Sequence, residues 1–333
     1  MAESPTVAVL GAAGYAGAIA ASLLHRHPVF ELAHVTARAD AGRRLDSLHP
    51  RSRVPLELEA FDPDRHGSVD AALVCYPHGA SAPAVANLRA RGVKVVDLSA
   101  DFRLQDPATY EHWYGAHGAS ELFGTAVYGL PELYREAIAG AELVANPGCY
   151  PTAAVLGLAP LARAGVIADV VIDAKSGVSG AGREPTHATH FVSVDENLTP
   201  YKVGGHRHTP EIEQELALLG SERPITFTPH LVPLAQGELV SAYVTPSRQV
   251  GEEELEALYR DAYDAEPWVE VRTGPPGVLD VRETNFCAMS VHRDARTGRV
   301  MVFSAIDNLW KGAASQAVQN LNLMFGLPES GGL

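Results

Sequence analysis

Apolar residues fall along this chain in two textures. In the first 150 residues, short β-rich runs alternate with helical spacing. Thr6–Leu10 (TVAVL) ends at Gly11, and Gly11-Ala12-Ala13-Gly14-Tyr15-Ala16-Gly17 leads into Ile19, Leu23 and Leu24, which recur at helical spacing. Further strand-like runs are Glu31–Thr36, Ala71–Tyr76, Val93–Leu98 and Leu143–Ala145, with a helix over Pro83–Arg91. Strands and helices alternating across short loops predict a parallel, doubly wound α/β sheet. Beyond residue 150, Val170–Ala174, Ile225–Thr228, Val240–Thr245, Cys287–His292 and Val300–Ala305 read as strands. The last two flank Asp294-Ala295-Arg296-Thr297-Gly298, a hairpin-like turn. With a helix over Glu252–Ala265, this half predicts a mixed or antiparallel α+β domain. A last helical pattern, Ala313–Phe325, stops at Gly326 with Pro328 beyond.

Composition narrows the class. At 333 residues the chain has room for two domains, and no internal repeat or long linker separates them. Lys and Arg number 26 against 40 Asp and Glu, a net charge of −14, which disfavours nonspecific nucleic-acid binding. The start, MAESPT, lacks a cationic stretch followed by an apolar run, and no apolar segment approaches the ~20 residues a membrane helix needs. Three cysteines (Cys75, Cys149, Cys287) make no disulfide framework. A soluble, cytoplasmic protein with reduced thiols is expected, with neither nucleic acid nor membrane as partner.

Six segments carry candidate chemistry. Glycines 11, 14 and 17 lie between the first strand and helix, where backbone amides and the helix N-terminus can receive a pyrophosphate. The spacing is G-x-x-G-x-x-G, and tight packing alone also collects glycine there. At the end of the second strand, Val35-Thr36-Ala37-Arg38 is followed by Arg43-Arg44, with Asp40 the nearby acid. An arginine at that edge suits a 2′-phosphate, so NADP(H) is expected over NAD, a solvated basic turn being the plainer alternative. Asn146-Pro147-Gly148-Cys149-Tyr150-Pro151-Thr152 forces a turn after a strand, and a helix from Pro151, bent near Pro160, places Cys149 at its N-terminus. Partial positive charge there favours a thiolate, which makes Cys149 the candidate nucleophile; Cys75 and Cys287 read as inert core cysteines. Last, His206-Arg207-His208 precedes a helix with Thr209 as cap, Pro210 in first position and Glu211 against the dipole. One of these histidines can move protons for a thiolate. A metal site with His187 and His190 is the lesser alternative, since no cysteine or carboxylate stands at ligand spacing, and no metal is expected. Lys175-Ser176-Gly177-Val178-Ser179-Gly180-Ala181-Gly182-Arg183 reads as a loop able to cradle an anion, and Ser99–Arg103, at a strand end, can bring Arg103 to the same cleft.

A nicotinamide site, an activated cysteine and a histidine together suggest acyl or aldehyde redox chemistry through a thioester. Seven segments then resemble one family: GAAGYAG (11–17), DLSADFRL (97–104), VYGLPELYRE (127–136), NPGCYPTA (146–153), KSGVSGAGR (175–183), GHRHTPEIEQ (205–214) and DNLWKGAA (307–314). They resemble the N-acetyl-γ-glutamyl-phosphate reductases of arginine biosynthesis, which are related to aspartate-semialdehyde dehydrogenases. The resemblance implies an N-terminal Rossmann domain over residues 1–148, joined by a C-terminal helix (310–333), and a catalytic and dimerisation domain of the semialdehyde dehydrogenase type over 149–309. It implies reduction of an acyl phosphate by NADPH through a thioester on Cys149, with inorganic phosphate released. His206 matches the acid/base histidine, and Tyr201 supports it. Cofactor contacts are implied for Gly11, Ala13, Gly14, Tyr15, Gly17, Thr36, Arg38, Pro77, His78, Gly79, Ser179, Gly180, Asn308, Lys311 and Gly312. Substrate or phosphate contacts are implied for Arg103, Ser176 and His208, and a homodimer or homotetramer for the assembly.

Three rival readings stay open. Aspartate-semialdehyde dehydrogenase shares the chemistry and differs in the pocket for the substrate's amino or acetamido group. A sister reductase of lysine biosynthesis acts on a substrate carried by an acidic protein, but the Pro-Gly and Tyr-Pro flanks of Cys149, the cationic 175–183 loop and this chain's own acidity favour the arginine type. A module that senses NADP without turnover has no use for a cysteine at a helix start and a histidine loop.

Overall fold

The structure is a computed structural model and describes residues 4–333. It divides into two compact units, Met1–Gly148 with Ala313–Leu333, and Cys149–Gly312.

The first unit is built on seven strands: β1 (Thr6–Leu10), β2 (Glu31–Thr36), β3 (Leu58–Glu59), β4 (Ala71–Val74), β5 (Lys94–Asp97), β6 (Val127–Tyr128) and β7 (Leu143–Ala145). Their order is β3-β2-β1-β4-β5-β7-β6, and every pairing is parallel. All four residues of β4 are buried, as expected of a strand covered on both faces. The strand order reverses between β1 and β4, which is where open α/β sheets bind ligands. The strands β3 and β6 span two residues each, too short for any periodicity to announce them. The C-terminal helix Ser315–Met324 belongs to this unit, where Asn320 Nδ2 donates to the Gly129 carbonyl (2.8 Å) and to Asn146 Oδ1 (3.0 Å).

The second unit holds β8 (Ile167–Gly177), β9 (Thr199–Pro200), β10 (Thr226–Val232), β11 (Glu238–Pro246), β12 (Val269–Val271), β13 (Cys287–Arg293) and β14 (Val300–Ile306). They form a mixed sheet in the order β12-β13-β14-β11-β8-β10-β9. The expected fold class is found: a Rossmann-like parallel sheet and a second α+β unit.

Helix Cys149–Arg163 lies against this sheet with Tyr150–Ala162 wholly buried. It begins two residues before the expected Pro151 and runs through Pro160 without a break. A proline there has no N–H for the carbonyl four residues earlier, that of Leu156. The Tyr263 hydroxyl donates to that carbonyl instead, so the helix continues. Two local expectations also shift. Lys175-Ser176-Gly177 is the end of β8 rather than a loop, and Thr209 is the first residue of helix Thr209–Leu218, with His208 in the position before it and no side chain bonded to the helix start.

Candidate active site

In the first unit the glycine-rich turn is shaped by its own packing at two positions. Gly11 has φ +83°, and a Cβ on it would stand 2.7 Å from the Cys75 carbonyl oxygen. A Cβ on Gly17 would stand 2.4 Å from the Gly11 oxygen. Gly14 has ordinary extended backbone, and a Cβ there would meet only that oxygen at 3.5 Å. Neither conformation nor packing demands glycine at 14, which leaves room for a ligand to approach the backbone. The amides of Gly11 and Ala12 are committed to the Thr36 carbonyl (3.0 and 2.9 Å), so the helix start Tyr15–Gly17 supplies the free donors. Thr36 is buried, its hydroxyl bonded to Tyr76 Oη at 3.2 Å across the switch point. Arg43 pairs with Asp40 and Arg44 with Asp46, whereas Arg38 is exposed and pairs with no carboxylate among the described residues. A site with an open glycine, a helix N-terminus and one unpaired guanidinium at the second strand fits a phosphorylated dinucleotide.

The DLSADFRL segment proves to be scaffold. Asp97 is buried and accepts from the Ser81 and Ser99 hydroxyls. Asp101, also buried, accepts from the Gly79 amide (2.7 Å), the Ala82 amide (3.0 Å) and the Tyr110 hydroxyl (2.9 Å). It thereby fixes the exposed Pro77-His78-Gly79 turn, and His78 Nδ1 accepts the Ala100 amide (3.0 Å). Arg103 is buried, with Nε on the Asn146 carbonyl and Nη2 on the Leu98 carbonyl, both 2.8 Å. It braces the loops after β5 and β7, a role unlike the expected phosphate contact.

In the second unit Cys149 is the first residue of a 15-residue helix, in the dipole's positive field. A Cβ on Gly312 would stand 2.8 Å from Cys149 Cβ, so that glycine gives the cysteine its space. His206 is buried in an aromatic cage, with ring centroids 5.6 Å from Tyr150, 5.5 Å from Tyr201, 4.8 Å from His208 and 5.3 Å from Phe227. The Tyr201 hydroxyl donates to that of Tyr150 at 3.1 Å, and burial pushes both phenols up. His206 Nδ1 accepts the His208 amide at 3.1 Å, which puts the neutral ring's proton on Nε2. Burial first, and then the Lys202 and Arg207 cations, push His206 down to about 4, so the ring is neutral at pH 7. Glu238 opens β11 with no exposed surface, and neither of its carboxyl oxygens has a hydrogen-bond partner among the described residues. Burial pushes this acid up to about 8.

Comparison with known proteins places this geometry. Residues 6–141 match the family described as semialdehyde dehydrogenase, NAD binding domain, and residues 149–308 the semialdehyde dehydrogenase dimerisation domain. The N-acetyl-gamma-glutamyl-phosphate reductase of Desulforudis audaxviator is 50% identical, over 98% of this chain and 97% of its own. Those of Moorella thermoacetica (49%; 97% and 96%) and Rubrobacter xylanophilus (48%; 98% and 98%) are similar. This chain belongs to the N-acetyl-gamma-glutamyl-phosphate reductase family. Its fold is that of aspartate-semialdehyde dehydrogenase II from Vibrio cholerae (TM-score 0.74, 20% identical, 98% of this chain and 99% of that one) and of a probable aspartate-semialdehyde dehydrogenase from Pseudomonas aeruginosa (TM-score 0.71, 22%, 97% and 99%).

Within the N-acetyl-gamma-glutamyl-phosphate reductase framework, the second unit brings Tyr201, His206 and His208 together around Tyr150, the residue that follows Cys149 in the helix. Other expected contacts take different parts. The amides of Gly177, Val178 and Ser179 bond to the carbonyls of Gly237, Leu234 and Ala235, so these three donors are committed to the fold. Asn308 accepts the Gly237 amide (2.8 Å) and donates to the Ser179 hydroxyl (3.0 Å), tying two loops; Gly180 remains exposed beside it. Lys311 is completely buried, which removes it from any surface a cofactor can lie on. His187 and His190 are not grouped with His206; among the described residues, the His and acidic side chains close enough to share a metal are His34, Glu59 and His66. There Arg65 already pairs with Glu59 (2.7 Å) and the Asp62 amide occupies His66 Nδ1 (2.9 Å). Sequence reasoning missed Asp97, Asp101 and Glu238. For the first two the spacing D-x-S-x-D after a strand was a readable signal; Glu238 gave none.

Proposed function

We propose that this chain reduces N-acetyl-γ-glutamyl phosphate to N-acetylglutamate γ-semialdehyde and phosphate, with NADPH as reductant, through a thioester on Cys149. The observation that carries the reading is Cys149 itself, at the head of a buried helix, with Gly312 making its space and a caged histidine in the same unit. Near-half identity to the reductase family over almost the whole chain supports the substrate.

A bound nicotinamide dinucleotide supplies the hydride. Gly14 and the amides of Tyr15–Gly17 would hold its pyrophosphate, Arg38 its 2′-phosphate, and the Pro77–Gly79 turn, fixed by Asp101, would border it. Cys149 Sγ attacks the acyl carbon, the S–C bond forms, and the C–O bond to phosphate breaks with its electron pair leaving on phosphate. His206 Nε2–H hydrogen-bonds to the substrate's carbonyl oxygen and steadies the charge that develops there, and the Tyr150 and Tyr201 rings hold the imidazole. After reduction the oxyanion re-forms the carbonyl and expels the Cys149 thiolate.

Subunit contact through the second unit is part of the proposal. Phe191, Val192, Leu198 and Val203 are exposed there, apolar surface of the kind an interface covers. A homodimer or homotetramer working in the cytoplasm with three free thiols follows.

The test is the reverse reaction at mildly alkaline pH, reading NADP⁺ reduction. N-acetylglutamate semialdehyde with phosphate should react, and omitting phosphate should stop turnover. Reaction with aspartate semialdehyde alone would transfer the chain to the sister chemistry.

A further inference from the structure

We propose that the Tyr76 hydroxyl is a specificity-determining contact for the 2′-phosphate of the dinucleotide, beside Arg38. The inference rests on the reading of the first unit as an NADPH site, and adds the residue that stands in for Thr36.

The end of the second strand is where a dinucleotide's adenosine ribose is held, ordinarily by an acidic side chain. Here β2 ends at Thr36, which carries no charge and has no exposed surface. A sealed hydroxyl cannot touch a ligand. Tyr76 brings polar chemistry to this place instead. It follows β4 in the chain, yet its Oη lies 3.2 Å from Thr36 Oγ1 at the end of β2. The strand order is β2-β1-β4, so the side chain spans two strand spacings, about 10 Å. It therefore crosses the end of β1 at the point where the order reverses. On the way its ring runs against the glycine-rich turn, where a Cβ on Gly11 would stand 3.1 Å from Tyr76 Cδ1.

Hydrogen bonding fixes what the phenol has left to offer. Among the described residues, the Thr36 hydroxyl bonds to Tyr76 Oη alone. A buried hydroxyl hydrogen without an acceptor is costly, so Thr36 donates and the phenol oxygen accepts. Tyr76 is only half-buried, and its own hydrogen is left for the open side. Burial pushes the phenol up, which keeps that hydrogen in place at neutral pH. The charge nearby suits an anion. The chain continues through Ala37 to exposed Arg38, which pairs with no carboxylate among the described residues, while Asp40 is held by Arg43 at 2.9 Å. A neutral hydroxyl donor beside a guanidinium is a donor set for a phosphate monoester.

The plainer alternative is a brace, a tyrosine that ties β4 to β2 and touches no ligand. The two differ in what the loss of one oxygen atom does. A brace serves every nucleotide alike, whereas a phosphate contact serves only a nucleotide that carries the phosphate.

Calorimetric titration of the full chain with two probes separates them. Adenosine 2′,5′-bisphosphate carries the 2′-phosphate and adenosine 5′-monophosphate lacks it. Neither has a nicotinamide, so binding is read without turnover. Wild type should prefer the bisphosphate. Tyr76→Phe keeps the ring, and should weaken the bisphosphate about 10-fold while the monophosphate stays within about two-fold. Thr36→Val removes the anchor of the phenol but not the phenol, and should weaken the bisphosphate about three-fold with the same selectivity. A Tyr76→Phe protein that keeps the whole preference, or that loses affinity for both probes equally, would overturn the proposal. If Tyr76→Phe does not fold, Thr36→Val decides, and an unselective result there overturns it too. Wild type that binds both probes alike would instead overturn the NADPH reading, and this assignment with it.

Discussion

Cys75 follows β4 in the first unit and Cys149 opens a helix in the second, and each has a buried carboxyl for a neighbour. Beside Cys75 stands Asp97, whose carboxylate accepts two serine hydroxyls. Burial and then the Asp97 charge push the Cys75 thiol up to about 12, which keeps it protonated and inert. Beside Cys149 stands Glu238, held by no cation or amide, and the cysteine sits at a helix N-terminus. The same pair of functional groups meets a hydrogen-bonded acid in one unit and an unpartnered acid in the other.

Exchanging the two cysteines gives the largest expected effect. Cys149→Ser should lower turnover by on the order of 10⁴ or more, because the nucleophile is lost, with the thermal unfolding midpoint little changed. Cys75→Ser should retain activity within about two-fold, since its thiol takes no part. Steady-state rates beside a melting curve for each variant check both, and an inactive, well-folded Cys75→Ser would erase the distinction between the two sites.

The distinction was only partly legible in the sequence. Cys149 announced itself because Pro147 and Gly148 force a turn after a strand and a helix follows, a local pattern. The parallel sheet was legible for the same reason: β1, β2, β4, β5 and β7 are apolar-rich strands of three to six residues between turn signals. Glu238 was not, because its meaning comes from register. It lies opposite Ser176 on β8 and Ile306 on β14, and only that pairing sets a charged residue in the core beside a helix start far away in sequence. Arg103 and Lys311 misled for the converse reason. A cation near a motif reads as a ligand contact, whereas burial turns it into a brace for carbonyls in one case and a packed interior group in the other.

In the proposed reaction the units divide binding from chemistry, which Arg38 sharpens. Arg38→Ala removes one charge-assisted contact, worth roughly 1.5–3 kcal/mol. KM for NADPH should therefore rise by about 10- to 100-fold, with KM for NADH and kcat almost unchanged. Initial rates with both dinucleotides measure this; equal losses with the two would show that Arg38 does not read the 2′-phosphate.

Asp97 tests the inert half of the comparison, through stability rather than rate. Burial pushes its carboxyl up to about 6 from an ordinary 3.8, against the lowering effect of the two serine hydroxyls. A folded state that holds a proton more tightly than the unfolded chain is stabilised where that proton is bound. The contribution is complete below about pH 4 and is lost as pH rises through about 6, a change of about 3 kcal/mol by the ~1.4 kcal/mol that each unit carries. Asp97→Asn is neutral throughout, so it should flatten the dependence of unfolding free energy on pH between 4 and 7 and become the more stable protein, relative to wild type, at the upper end. Denaturant unfolding across that window decides the matter. An unchanged slope would mean that Ser81 and Ser99 hold Asp97 ionised in the fold, and that the satisfied site is more fully solvated by its hydroxyls than burial alone implies. Activity should follow neither curve, because nothing in the thioester chemistry touches this carboxyl.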